Sequence, residues 1–138
     1  MNKFLGKAGY REVEHTADIA IAVTGDSLSS LFTQATRAMA EIARVEVLKK
    51  IEGIFQNSIE ATYVESLLVA FLNELVFLLE SNHWPIIKRI EICQHHLTYS
   101  YHLCHCTVKG HEIKAVTYNL VEIIEHAGLY STMIVFDV

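Results

Sequence analysis

Residues 64–79 read Val-Glu-Ser-Leu-Leu-Val-Ala-Phe-Leu-Asn-Glu-Leu-Val-Phe-Leu-Leu, and their spacing predicts a helix that cannot stand alone. Val64, Leu67, Leu68, Phe71, Leu72, Leu75, Leu78 and Leu79 recur at three- and four-residue steps, a stripe wide enough to face a sheet. Thr62 followed three residues later by Glu65 is the signature of a capping box and sets the start, and Ser81-Asn82 with Pro85 beyond sets the end. Asn73 and Glu74 interrupt the run, which is shorter than the roughly 20 apolar residues a membrane span needs, so it belongs to a folded core.

A second amphipathic helix precedes it. After the turn at Gly25-Asp26, with Asp26 or Ser27 as cap, Leu28, Leu31, Phe32, Ala35, Met39 and Ile42 follow helical steps. The rest of the chain reads as strands. Tyr10 to His15 and Asp18 to Thr24 come first; in the latter Ile19, Ile21 and Val23 alternate with the small Ala20 and Ala22, which predicts burial on both faces. Val45 to Ile59 is extended with a bend at Gly53. Ile86 to Cys93, His95 to Lys109, Glu112 to Ile124 and Thr132 to Val138 follow the second helix. The order β-β-α-β-α-β-β-β-β with short C-terminal connections predicts an α+β fold, two helices on a mainly antiparallel β-sheet in a two-layer sandwich. Residues 10–138 form one domain in this reading and residues 1–9 a loose lead-in.

The chain has 138 residues, 51% hydrophobic and 20% charged, the composition of a compact globular protein. A formal net charge of −5 argues against a free-standing nucleic-acid binder, which needs a basic stripe to displace counterions. The start of the chain lacks the apolar segment of a secretory signal, and three cysteines fit free thiols better than a disulfide framework, so the cytoplasm is the expected compartment.

Candidate chemistry is thinly spread. Cys93, His95, His96, His102, Cys104, His105 and Cys106 look like a soft-metal set. On a strand, however, His102, Cys104 and Cys106 share one face while Leu103 and His105 take the other, and Cys-x-Cys on extended chain holds its sulfurs too far apart for a tetrahedral site. Strand thiols with solvated imidazoles are the expectation. His15 beside Glu14 has the parts of a general base with an orienting carboxylate, but no nucleophile motif accompanies it, and a hydrogen-bonded structural histidine is the plainer reading. Gly110-His111-Glu112-Ile113-Lys114 lacks the spacing of a phosphate loop. The last stretch, Met133 to Phe136, is apolar and carries Asp137 and Val138 at its end, so two carboxylates sit on structured chain. Asp18 stands at the start of another strand.

Taken together, Glu14-His15-Thr16-Ala17-Asp18, Glu65-Ser66-Leu67-Leu68 with Leu72-Asn73-Glu74-Leu75, Ile113-Lys114-Ala115-Val116-Thr117-Tyr118 and Phe136-Asp137-Val138 resemble the archease family in content, order and spacing. That resemblance implies a non-catalytic accessory protein of an RtcB-type RNA ligase in tRNA splicing and RNA repair, which promotes ligase guanylylation and multiple turnover and meets RNA only indirectly. It also implies a divalent cation, calcium first with magnesium or manganese as alternatives, held by Asp18, Asp137 and Val138. Oxygen donors of this kind suit a hard cation. By the same resemblance Lys114, Glu14, His15 and Asn119 belong to the activating or partner-contacting surface. Two roles are open for Lys114: counter-ion to the acids, or point-charge contact to the ligase or its nucleotide phosphates. Asn119 stands where many relatives carry a histidine, so it keeps hydrogen bonding but not titration, and Tyr63 stands where an acid is common. The competing reading is a stand-alone metal-dependent phosphoester hydrolase using the same acids, with His15 its one candidate base.

Overall fold

In a computed structural model the structure describes residues 18–138. The elements run β1 (Ile19–Gly25), α1 (Leu28–Ala43), β2 (Val45–Lys50), β3 (Phe55–Glu60), α2 (Val64–Glu80), β4 (His83–Cys93), β5 (His96–Val108), β6 (Ala115–Thr117), β7 (Ile124–His126) and β8 (Leu129–Asp137). The α+β expectation holds, with two helices and antiparallel pairing throughout the described strands. The expected first strand, Tyr10 to His15, lies outside the described residues.

The strands divide between two sheets of the same plan. In one, β8 is central, with β1 along one edge and β6 and β7 end to end along the other. In the second, β5 is central, with β4 on one edge and β2 and β3 end to end on the other. The bend expected at Gly53, which has φ 104°, is the break between β2 and β3. The segment from Glu112 to Ile124 is not one strand: only Ala115–Thr117 and Ile124–His126 pair, because the chain turns at Tyr118 to Val121 and Leu120 takes φ 69°. Ala127 (φ 54°) and Gly128 (φ 83°) then form a hairpin turn that brings β7 onto β8.

The helices join the two sheets. α1 packs on β1 and β8 of the first and on β4 of the second, while α2 packs on β6 of the first and on β3, β4 and β5 of the second. α2 accordingly buries Val69 and Val76 as well as Leu67, Leu68, Phe71, Leu72, Leu75 and Leu79 of the expected stripe, while Val64 and Leu78 are half-buried. Ser27 caps α1 by accepting a hydrogen bond from the Ser30 amide at 3.0 Å. The capping box expected at α2 does not form: Tyr63 is the N-cap, with no side-chain cap bond, and Glu65 is engaged elsewhere. In β1 only one face is covered, Val23 being buried while Ala20 and Ala22 are exposed, so the prediction of burial on both faces fails.

The path from β5 to β6 follows the end of α1. The amides of Lys109, Gly110 and His111 donate to the carbonyls of Arg44, Ala43 and Ile42, satisfying acceptors that a helix end leaves open. A Cβ on Gly110 would lie 2.7 Å from the Ile42 carbonyl oxygen, which is why glycine stands there. Buried Ile113 then anchors the approach to β6. Among the described residues no helix is long and apolar enough to cross a membrane.

Candidate functional site

The site begins with β8. Ile134, Val135 and Phe136 are buried and hold the strand in the core nearly to its end, leaving Asp137 and Val138 half-buried at the rim. On one side Ile19 pairs with Phe136, so Asp18, one step earlier and exposed, stands across from Asp137. On the other side Ala115 pairs with Asp137, and Lys114 is the next residue out. Its amide donates to the Asp137 carbonyl at 2.7 Å, while its side chain is exposed. Residues directly opposite in an antiparallel pair point to the same face with Cα atoms about 5 Å apart, so the register sets Asp18 beside Asp137, with Lys114 one residue beyond Ala115 at the same end of the sheet.

Asn119 is not part of that gathering. It lies beyond the other end of β6, exposed in the turn, where its amide donates to the Thr117 hydroxyl at 3.3 Å. Glu14 and His15 lie outside the described residues. Tyr63 is 67% exposed at the start of α2.

Two polar residues of α2 hold the segments on either side of the turn after β6. The Asn73 amide donates to the Val116 carbonyl at 3.0 Å and its oxygen accepts from the Val116 amide at 2.9 Å, so one side chain bonds the free edge of β6 as a neighbouring strand would. The same nitrogen lies 3.1 Å from the Val69 carbonyl of its own helix. Glu65 accepts from the Ile123 amide at 3.0 Å and ties down the segment after the turn. Thr132, itself buried, accepts from the Glu122 amide at 3.0 Å beside it. Spacing alone assigned Glu65 to a cap and gave Asn73 no role. The available signal was a poor helix former set inside an apolar run, which needs an inward partner.

Among the described residues the donor set at the rim fits a hard cation in kind: two side-chain carboxylates and the backbone oxygens of Val138. Among the described residues no group of three or more His, Cys, Asp or Glu side chains is arranged to hold a metal. Asp18 and Asp137 are the side-chain carboxylates that the described residues bring to the rim, and further oxygen donors would complete the coordination of a calcium-sized ion.

The histidine and cysteine strand has a different character. Along β5 the buried positions are Leu97, Tyr99 and Tyr101, then Cys104 and Cys106, so the inward face changes parity opposite the break between β2 and β3. Burial, and then the neighbouring Cys104, push the Cys106 thiol up, which makes it an inert packing group. His105 is exposed with its ring 4.9 Å from that of His83.

Residues 10–138 match the archease protein family. The chain is 30% identical to the protein archease-like of Drosophila melanogaster, covering 99% of this chain and 95% of that one. It is 31% identical to the protein archease of Methanosarcina mazei, over 94% and 95% of the two chains. Its fold is similar to the crystal structure of an archease and possible chaperone from Thermotoga maritima, with a TM-score of 0.72 at 22% identity over 96% of this chain and 100% of that one. The solution structure of protein 1598 of Methanobacterium thermoautotrophicum has a TM-score of 0.64 at 25% identity, over 91% and 95% of the two chains.

Proposed function

Because the chain belongs to the archease family, we propose that it is a non-catalytic activator of an RtcB-type RNA ligase, acting in tRNA splicing and RNA repair by promoting ligase guanylylation and multiple turnover. The observation that supports this most is the register at the end of β8, with Asp18 across from Asp137 on one side and Lys114 bonded to Asp137 on the other. The rim carries opposite charges on adjacent backbone, which suits contact with metals and phosphates rather than RNA grooves.

Asp18, Asp137 and Val138 would hold a divalent cation, calcium first, with magnesium or manganese as alternatives. The cation supplies positive charge where carboxylates otherwise repel. Lys114 keeps a mobile ammonium at the border of that cluster, available to the ligase or to nucleotide phosphates. Asn119 and, from outside the described residues, Glu14 and His15 belong to the surrounding contact surface. The cytoplasm is the compartment this role requires.

The test is guanylylation and multiple turnover of a cognate ligase with and without this protein. Stimulation that falls in Asp18→Ala and Lys114→Ala supports the reading, and a cognate ligase indifferent to the wild-type chain ends it. Phosphoester turnover by the protein alone that vanishes in Asp18→Ala would put the hydrolase reading in its place.

A further inference from the structure

One face of α2 opens into a cavity of about 470 Å³ lined by Ala70, Asn73, Glu74, Phe77 and Leu78 from the helix and by Asn57 and Tyr99 from the second sheet. Phe77 is 68% exposed, between buried Val76 and half-buried Leu78, so an aromatic ring stands at the mouth. The polar groups are arranged in one sense. The Tyr99 hydroxyl donates to Glu74 Oε1, and Asn57 donates to the hydroxyls of Tyr99 at 3.2 Å and Tyr101 at 3.4 Å. Burial and the Glu74 carboxylate push the Tyr99 phenol up, so its proton stays in place as the donor.

Glu74 is left half satisfied. Among the described residues nothing donates a hydrogen bond to its Oε2, and it forms no ion pair. Glu74 is half-buried and lines the cavity, where a cationic donor would complete its hydrogen bonding. We infer that this cavity is a binding site for a primary ammonium group carried on a short apolar chain. The ammonium meets Glu74 Oε2, the alkyl stem lies along Ala70 and Leu78, and the exposed Phe77 ring stands beside the cation. A guanidinium fits less well, because its planar fork wants both carboxylate oxygens and Tyr99 already occupies one. The proposed contacts use none of Asp18, Lys114, Asp137 and Val138, so the site stands whether or not the ligase reading does.

The experiment is an NMR titration of the full chain at neutral pH with n-butylamine, against n-butanol as the neutral isostere, n-butylguanidine as the planar cation and a lysine-containing tripeptide. Saturable shifts centred on Phe77, Tyr99 and Tyr101 are expected with butylamine, weaker ones with butylguanidine and no saturation with butanol. Glu74→Gln keeps an acceptor for Tyr99 and should bind butylamine at least about tenfold more weakly, the loss expected for a charge-assisted bond. Phe77→Ala, at an exposed position, should weaken binding without touching the fold. Tighter binding of the tripeptide assigns the site to a lysine side chain of a partner, and weaker binding assigns it to free amines. Equal binding of butanol, butylguanidine as tight as butylamine, or Glu74→Gln indistinguishable from wild type overturns the inference.

Discussion

Asn73 and Val116 are joined by two hydrogen bonds, side-chain nitrogen to carbonyl at 3.0 Å and side-chain oxygen to amide at 2.9 Å. β6 is three residues long and has a strand only on its β8 side, so this amide supplies the other edge of the segment that leads out of Lys114. Asn73→Ala leaves both Val116 groups unpaired and should cost about 2 kcal/mol, on the scale of orphaned buried backbone groups. Asn73→Asp should be no better, since a carboxylate would face two carbonyls with no hydrogen to give. Urea midpoints measure the loss, and faster exchange of the Val116 amide locates it.

Glu65 makes a separable prediction. Its carboxylate holds the Ile123 amide at 3.0 Å, and its first-turn position also favours a negative charge at the helix N-terminus. Glu65→Gln retains an acceptor and should cost little. Glu65→Ala should speed exchange at Ile123 and lower stability by about 1 kcal/mol. Equal behaviour of the two variants would remove the loop-holding role.

The two helices were legible in the sequence because helical periodicity is a strong local signal, and Ser27 capped where expected. That α2 is buried or half-buried at every position from Val64 to Val76 was not, because Asn73 and Glu74 look like solvent-facing residues until their partners on β6 and β5 are known. The β7 to β8 hairpin was missed because Ala127 occupies a positive φ without the asparagine or aspartate that usually marks such a turn. Asp18 and Asp137 were singled out as ends of strands, but only long-range register sets them opposite each other. No local pattern encodes that pairing, and it entered the sequence reading through family resemblance alone.

Tyr99 gives the protein an alkaline limit. Its phenol is pushed above the ordinary value of 10.0, by burial first and then by its bond to Glu74. The unfolded chain therefore releases this proton before the folded one does. Tyr99 contributes its full stability below a pH of about 10, and the contribution falls as pH rises past that point. Burial pushes Tyr101 the same way. Urea midpoints should drop as pH rises above about 10, and Tyr99→Phe, although less stable at neutrality, should drop less over that interval. A variant with the wild-type slope would show that other groups govern alkaline unfolding.

The paired acids at the rim predict opposite effects of one substitution in two buffers. With chelator present, Asp18 and Asp137 on neighbouring strand ends repel, so Asp18→Asn should leave the melting temperature unchanged or raise it. With millimolar calcium, the wild type should gain stability in proportion to the logarithm of the ion concentration above its dissociation constant, and Asp18→Asn should gain less. The order of the two proteins in a thermal melt then narrows or reverses on adding calcium. Lys114→Ala separates the two roles open to that lysine. If it offsets the acids, its loss lowers stability in chelator and increases the stabilisation by calcium; if it serves only the partner, the melting behaviour matches wild type while ligase stimulation falls. A wild-type protein whose melting temperature ignores calcium, magnesium and manganese would remove the cation from the rim of the isolated chain, leaving only a site completed by the ligase.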